Sequence, residues 1–421
     1  MMVLGLFTLA FVLLVLRQNL VAILGLVLVI AYSLLDQGDP GALMLDAWHA
    51  LNQEILLAIP LFLLVGQIVS QGTGAERMVR LMRTLTRPIP GGLAVAAVLA
   101  CAIFAAVSGS GIATLLAIGT VMYPALVKAG YSKSFAIGAL CSAGTLGIVI
   151  PPSIPLILYG FMTQTSIAAM FLAGLLPGLM LTGLIGGYAF ISHRQMDVES
   201  IDWREVGLAL RGALAALSTP VIVLGGIYSG YFTATEAAVV GVVYAGLIEL
   251  LVHRDLKLAE LPDLLGKTAV TLGTLFPVLM LAFCLNMLLM IEGTPQMLVN
   301  ALGEWFAHPA LFIMATNVLL LIVGCVMDIG SAILLLAPLL TPLAQANGMD
   351  PVHFGIMMVV NLEIGYLTPP LGLNLIVAAA IFRESFWFVC RAVLPFLGLM
   401  LIGLFLVAAF PQISLFLVER F

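Results

Sequence analysis

Ten apolar runs, each close to the length that crosses a bilayer, follow one another along this chain: about 1–16, 19–35, 54–72, 132–160, 167–192, 217–231, 234–252, 268–291, 352–382 and 392–418. A helical span takes ~20 residues to cover ~30 Å of hydrocarbon. Two further apolar stretches, 92–128 and 309–345, are interrupted near their centres. A water-soluble core cannot absorb this much apolar chain, because soluble cores split into domains beyond ~250–300 residues. Of 421 residues, 62% are hydrophobic and 9% charged, which also excludes disorder. The fold class is therefore an all-α polytopic membrane protein with the lipid bilayer as its surroundings. A net charge of -5 leaves no basic field of the kind nucleic acid demands. Cys101, Cys141, Cys284, Cys325 and Cys390 lie inside apolar stretches without ligand spacing, as packing thiols do. The run 1–16 lacks a basic leader and a small-residue cleavage site, so it reads as a retained first helix.

The cations fix a topology. Suppose that 92–128 and 309–345 each return to the side they entered, and that every other run crosses once. Fifteen of the sixteen Lys and Arg then fall on one side, with only Arg420 opposite. The positive-inside rule makes that side cytoplasmic and puts both chain ends outside. Single crossings by the two interrupted stretches would destroy this segregation, so they read as re-entrant hairpins. The polar strip Asp36–Glu54 falls outside. Segments 195–212 and 254–266 mix charge with apolar residues at helical spacing, and are expected to be interfacial helices on the inner surface.

The chain also repeats itself. At an offset of 218 residues, Pro124 matches Pro342, Gly130 matches Gly348, Gly147 matches Gly365, and Pro151–Pro152 match Pro369–Pro370. Matching Gly and Pro carry more weight than matching hydrophobicity, because they set backbone shape. On the topology above the two hairpins open to opposite sides, so the repeats are inverted. Inverted repeats with broken helices at matching places mark secondary transporters. The expected organisation is scaffold helices of the first repeat (1–72), a loop (73–91), the first hairpin and broken helix (92–160) and a connecting helix with arm (161–212). The second repeat's scaffold and arm (213–308), its hairpin and broken helix (309–382) and a C-terminal helix (383–421) follow.

Chemistry concentrates at the breaks. Each hairpin leg has about 16 residues, or ~24 Å of helix, which puts the tips SGSG (108–111) and MDIG (327–330) deep in the membrane. Gly and Pro-Pro in 144–153 and 364–372 break the following helices. Backbone groups freed there need protein, water or an ion as partner, since lipid offers none. Free carbonyls with Ser and Thr hydroxyls suit a hard cation such as sodium, and half-helix N-termini suit an anion. Two cation sites are expected. One lies between Ser108, Gly109, Ser110 and Gly144, Thr145, Gly147, Ile148. The other lies between Met327, Asp328, Gly330 and Gly365, Leu367, Thr368. Close helix packing by small residues is the competing explanation for each residue singly.

Acids standing inside apolar segments include Glu236, Asp328 and Glu363. Carboxylates at that depth are candidates for function. Asp328 leads because it occupies a hairpin tip, though it also suits an N-cap. Glu363 fits either a ligand or a structural partner, and Glu236 fits a cap. Other signals fail. Gly266–Lys267–Thr268 resembles the end of a P-loop, but Leu261 stands where Gly is required, so no ATP site follows. No catalytic pair is visible, so no enzyme is expected. GxxxG at 183–187 suits helix packing within the chain or, less simply, an oligomer contact.

SGSGIATLLAIG (108–119), GTLGIVIPPSIPLILYG (144–160), GYFTATEAAVVGVVYA (230–245), MDIGSAILLLAPLLTP (327–342) and NLEIGYLTPPLGLNL (361–375) together resemble the large membrane subunit of TRAP transporters, the DctM family. The resemblance implies an elevator-type, sodium-coupled importer of a small organic acid in the bacterial inner membrane. It implies a periplasmic substrate-binding protein and a small four-helix membrane subunit as partners, the latter a separate polypeptide. It implies two sodium sites, an Asp328 that matters for transport, and a substrate between the tips near Ser108, Ser110, Ser153, Asp328 and Asn374. A stand-alone divalent-anion/sodium symporter, needing no soluble receptor, is the alternative.

Overall fold

Apolar helices separated by Gly, Pro and capped turns account for the whole architecture. A computed structural model describes residues 18–35, 40–302 and 308–420, with Leu9 and Leu13. The run expected over 1–16 therefore lies largely outside the described residues, as do Asp36 and Asp39. Among the described residues, nine helices are long and apolar enough to cross a membrane. The polar strip after Leu35 is not a loop throughout. Pro40–Leu51 is helical, and its Asp46 carboxylate accepts the Tyr32 hydroxyl at 2.6 Å.

Both interrupted stretches fold as helix–turn–helix units. The first hairpin has legs Gly92–Ser108 and Gly111–Lys128; the second has Pro309–Val326 and Ile329–Ala346. Each trailing leg packs on the helix that precedes its own leading leg, Gly74–Leu85 in one case and Thr294–Leu302 in the other. The chain thus doubles back at both tips. The legs have 17 or 18 residues, or ~27 Å, slightly longer than expected. Pro124, Pro338 and Pro342 sit within the trailing legs and do not end them.

The broken helices follow. Lys133–Thr145, a 3-10 turn Leu146–Ile148, and Ile154–Thr163 form the first; Pro351–Gly365 and Leu373–Phe382 form the second. The bounds of hairpins, broken helices and the helices after them (Ile167–Ser192, Phe386–Ala409) recur at offsets of 217 to 220 residues. Their caps recur too: Ser110 with Asp328, Ser132 with Asp350, Ser166 with Ser385. The two units interlock reciprocally. The first trailing leg packs on Leu373–Phe382, and the second packs on Ile154–Thr163. The Tyr159 hydroxyl, wholly buried, fixes one crossing through the Pro351 carbonyl at 2.7 Å and Thr341 Oγ1 at 3.1 Å.

The two expected interfacial helices are not separate. Residues 203–212 open the helix Trp203–Tyr228, and 261–266 open the helix Leu261–Ile291. Between each charged segment and the following span no Gly-Pro break intervenes, and Ala- and Leu-rich chain continues helically. Helix Trp203–Tyr228 accordingly runs through the boundary expected at 212. Glu236 does cap: its carboxylate accepts the Thr233 amide at 2.8 Å, and its own amide reaches Thr233 Oγ1 at 3.2 Å. Gly183 and Gly187 have open space where a Cβ would stand, so the GxxxG face is not packed within the chain. All five cysteines are buried and unpaired.

Candidate functional site

The first tip turns on Gly109, whose φ of 59° is the left-handed conformation that glycine adopts without steric cost. Ser110 is extended and accepts the Ala113 amide at 3.5 Å. Ser108 is buried and shares a hydrogen bond with Thr114 Oγ1 at 2.8 Å. The tip rests directly on the first break. A Cβ on Gly147 would stand 2.8 Å from the Ser110 carbonyl oxygen, and one on Gly111 would stand 3.3 Å from Thr145 Cα. Ser108, Gly109, Ser110, Gly144, Thr145, Gly147 and Ile148 are thus drawn from two elements that touch, with Gly144 backed by Leu115.

The second tip is built likewise from Met327 and Asp328, both extended. The Asp328 carboxylate accepts the Ser331 amide at 2.8 Å, so it caps the trailing leg while remaining exposed. The Ile329 amide donates to the Tyr366 hydroxyl at 3.1 Å, and the Gly372 amide to the Cys325 carbonyl at 3.4 Å. Gly324 meets Gly365 so closely that a Cβ on Gly365 would lie 2.6 Å from Gly324 backbone atoms. The Thr368 hydroxyl donates to the Ile364 carbonyl at 2.8 Å, and Leu367 is buried. The second tip thus meets its break through Gly324–Gly365, Ile329–Tyr366 and Cys325–Gly372, while Gly330 lies beside Leu158 and Leu275.

Both tips open into one cavity of about 600 Å³. Its walls include Ser110, Gly111, Ile148, Ile154, Asp328, Ser331 and Tyr366, closed by Thr271 and Thr274 of helix Leu261–Ile291. Four helix N-termini reach it: Leu20–Leu35, Gly111–Lys128, Ile154–Thr163 and Ile329–Ala346. The positive ends of their dipoles favour an anion. Among the described lining residues Asp328 is the one charged side chain. A cavity of about 550 Å³ beside Glu54, Gln164 and Thr235 holds neither tip, and is not this site.

Of the residues expected near substrate, Ser110 and Asp328 line the cavity. Ser108, Ser153 and Asn374 are buried and do not line it. The Ser108 hydroxyl is engaged by Thr114, and the Ser153 hydroxyl donates to the Ile148 carbonyl. Asn374 is fully buried, with neither side-chain amide atom hydrogen-bonded. Tyr366, Thr271 and Thr274 escaped sequence reasoning. The available signal was TLGT (271–274), two hydroxyls around a glycine in an otherwise apolar helix.

Hairpins and broken helices meeting at a shared cavity, among spans of bilayer length, define a multi-pass membrane transporter. The DctM component of the tripartite ATP-independent periplasmic transporters matches residues 7–413. The C4-dicarboxylate TRAP transporter large permease protein DctM of Pseudomonas aeruginosa is 40% identical, over 89% of this chain and 88% of that one. Its counterpart in Rhodobacter capsulatus is 38% identical over 93% of each. The isethionate TRAP transporter permease protein DctMQ of Oleidesulfovibrio alaskensis is 37% identical over 88% of this chain but 59% of its own length. Among solved structures, the YdaH transporter of Alcanivorax borkumensis shares the fold, with a TM-score of 0.62 at 15% identity over 87% of this chain and 86% of that one. The chain belongs to the DctM family: it is a transporter permease and not an enzyme.

Proposed function

We propose that this chain is the large permease subunit of a sodium-coupled, binding-protein-dependent importer of a small organic acid. The observation that carries the reading is the cavity between the tips, where four helix N-termini converge with no Lys or Arg among the described lining residues. Helix ends offer an anion partial charges only, and Asp328 opposes it. Bound cations at the two tips would supply the missing positive charge, which ties substrate binding to sodium. Each sodium charge moving inward contributes ~2.3 kcal/mol per 100 mV. The relatives' names favour small acids, a dicarboxylate in two cases and isethionate in another.

On this reading the interlocked hairpins and broken helices move as a rigid body against the scaffold, an elevator motion, across the inner membrane. Both chain ends lie on the periplasmic side. The partners are a periplasmic binding protein and a small membrane subunit on a separate chain, although the relative named DctMQ extends well beyond this chain's span. Uptake in proteoliposomes should require sodium, vanish when potassium replaces it, and vanish without the binding protein. Uptake driven by a proton gradient alone would reject sodium as the coupling ion. Uptake without the receptor would favour a stand-alone symporter.

A further inference from the structure

The two tips differ in charge. Asp328 stands at the second, while its counterpart at the first is Ser110, and every expected ligand of the first cluster is neutral. Glu363 lies in the opposite repeat, on the helix Pro351–Gly365, and is wholly buried. Neither of its carboxyl oxygens has a hydrogen-bond partner, and none of the ion pairs among the described residues includes it. The Thr145 hydroxyl lies beside the carboxyl, but is committed to the Ser142 carbonyl at 2.8 Å. Thr145 in turn backs onto Gly111, the first residue of the hairpin's trailing leg. A carboxylate this deep, with no partner, is strongly disfavoured unless a proton or a cation joins it.

We infer that Glu363 supplies the negative charge for the sodium ion bound in the first cluster, reaching it from the second repeat alongside Thr145. This deepens the sodium-coupled reading above and rests on it. Each tip then works with one carboxylate, Asp328 at the second and Glu363 at the first. Two sodium ions enter a transport core that stays near neutral, as low-dielectric surroundings require. The helix carrying Glu363 also carries Gly365, so ion binding in one repeat bears on the other.

The test is equilibrium binding of radioactive sodium to the full chain purified in detergent, with potassium balancing ionic strength. Wild type, Glu363→Gln and Asp328→Asn are compared, each with sodium-dependent thermal stabilisation as a second readout. Glu363→Gln should lose one sodium per chain, or bind it about a hundredfold more weakly, while keeping the Asp328-dependent ion. Wild-type stoichiometry and affinity in Glu363→Gln would overturn the inference and leave sodium coupling standing. Absence of sodium binding in wild type would overturn both. Should Glu363→Gln not fold, sodium-minus-potassium infrared difference spectra of Asp328→Asn decide. A sodium-induced shift of a buried carboxylate band supports the inference, and a flat carboxylate region overturns it.

Discussion

Gly365→Ala is the sharpest test of how the second hairpin seats on its broken helix. The added methyl would stand 2.6 Å from both Cα and the carbonyl carbon of Gly324, where carbon atoms prefer ~3.5–4.0 Å. Backbone lies on both sides of the contact, so no rotamer change relieves it. The leading leg must move about 1 Å from the broken helix, or the helix must bend. Overpacking of this kind costs ~1–3 kcal/mol. The same movement pulls Ile329 from Tyr366 at the cavity wall, so uptake should fall further than stability does. Gly183→Ala is the control, because its methyl meets open space and gains helix propensity worth ~0.5–1 kcal/mol. Thermal unfolding in detergent, followed by tryptophan fluorescence, should place Gly365→Ala below wild type and Gly183→Ala at or above it. Equal unfolding temperatures for the two variants would refute the close Gly324–Gly365 contact.

Tyr366→Phe removes the acceptor of the Ile329 amide and should cost ~1–2 kcal/mol with a larger loss of uptake, measurable as separate changes in unfolding temperature and transport rate. Tyr159→Phe removes the bonds of its hydroxyl to the Pro351 carbonyl and Thr341, costs a similar ~1–2 kcal/mol, and should show as a lower unfolding temperature. Asp328→Ala removes a cap worth ~1 kcal/mol, yet should abolish uptake in folded, monodisperse protein; wild-type transport would reduce Asp328 to a cap. Asp255 offers a pH test. Burial raises its pKa, but the Thr73 hydroxyl and amide and the Arg77 guanidinium outweigh this and hold it below the ordinary carboxylate range. Its contribution is therefore complete above the unfolded-chain value near ~3.9 and fades as pH falls through the lower folded value. Unfolding temperatures of wild type and Asp255→Asn should converge below that range and separate above it.

What the chain displays linearly and what it conceals divide along physical lines. Gly109, Gly147, Gly365 and the two Pro-Pro pairs were legible because they dictate backbone shape wherever they stand. They located both hairpin tips and both breaks. The long helices Trp203–Tyr228 and Leu261–Ile291 were read as arm plus span because the change from charged to apolar chain looks like a boundary, although nothing there stops a helix. Side-chain roles were less legible still. Whether the hydroxyls of Ser108 and Ser153 face a cavity or are consumed by Thr114 and Ile148 depends on packing that no spacing encodes.

Tyr366 shows the limit most plainly, since an aromatic residue beside a Pro-Pro break reads as core, whereas its hydroxyl anchors the second tip. Glu363 sits between these cases. Its depth could be read from sequence, but its contact with the opposite repeat could not. A contact between repeats is a property of the interlocked pair: the first trailing leg packs on Leu373–Phe382 and the second on Ile154–Thr163. Such reciprocal packing means that neither hairpin can shift on its broken helix without disturbing the other. A load at one tip is thereby felt at both.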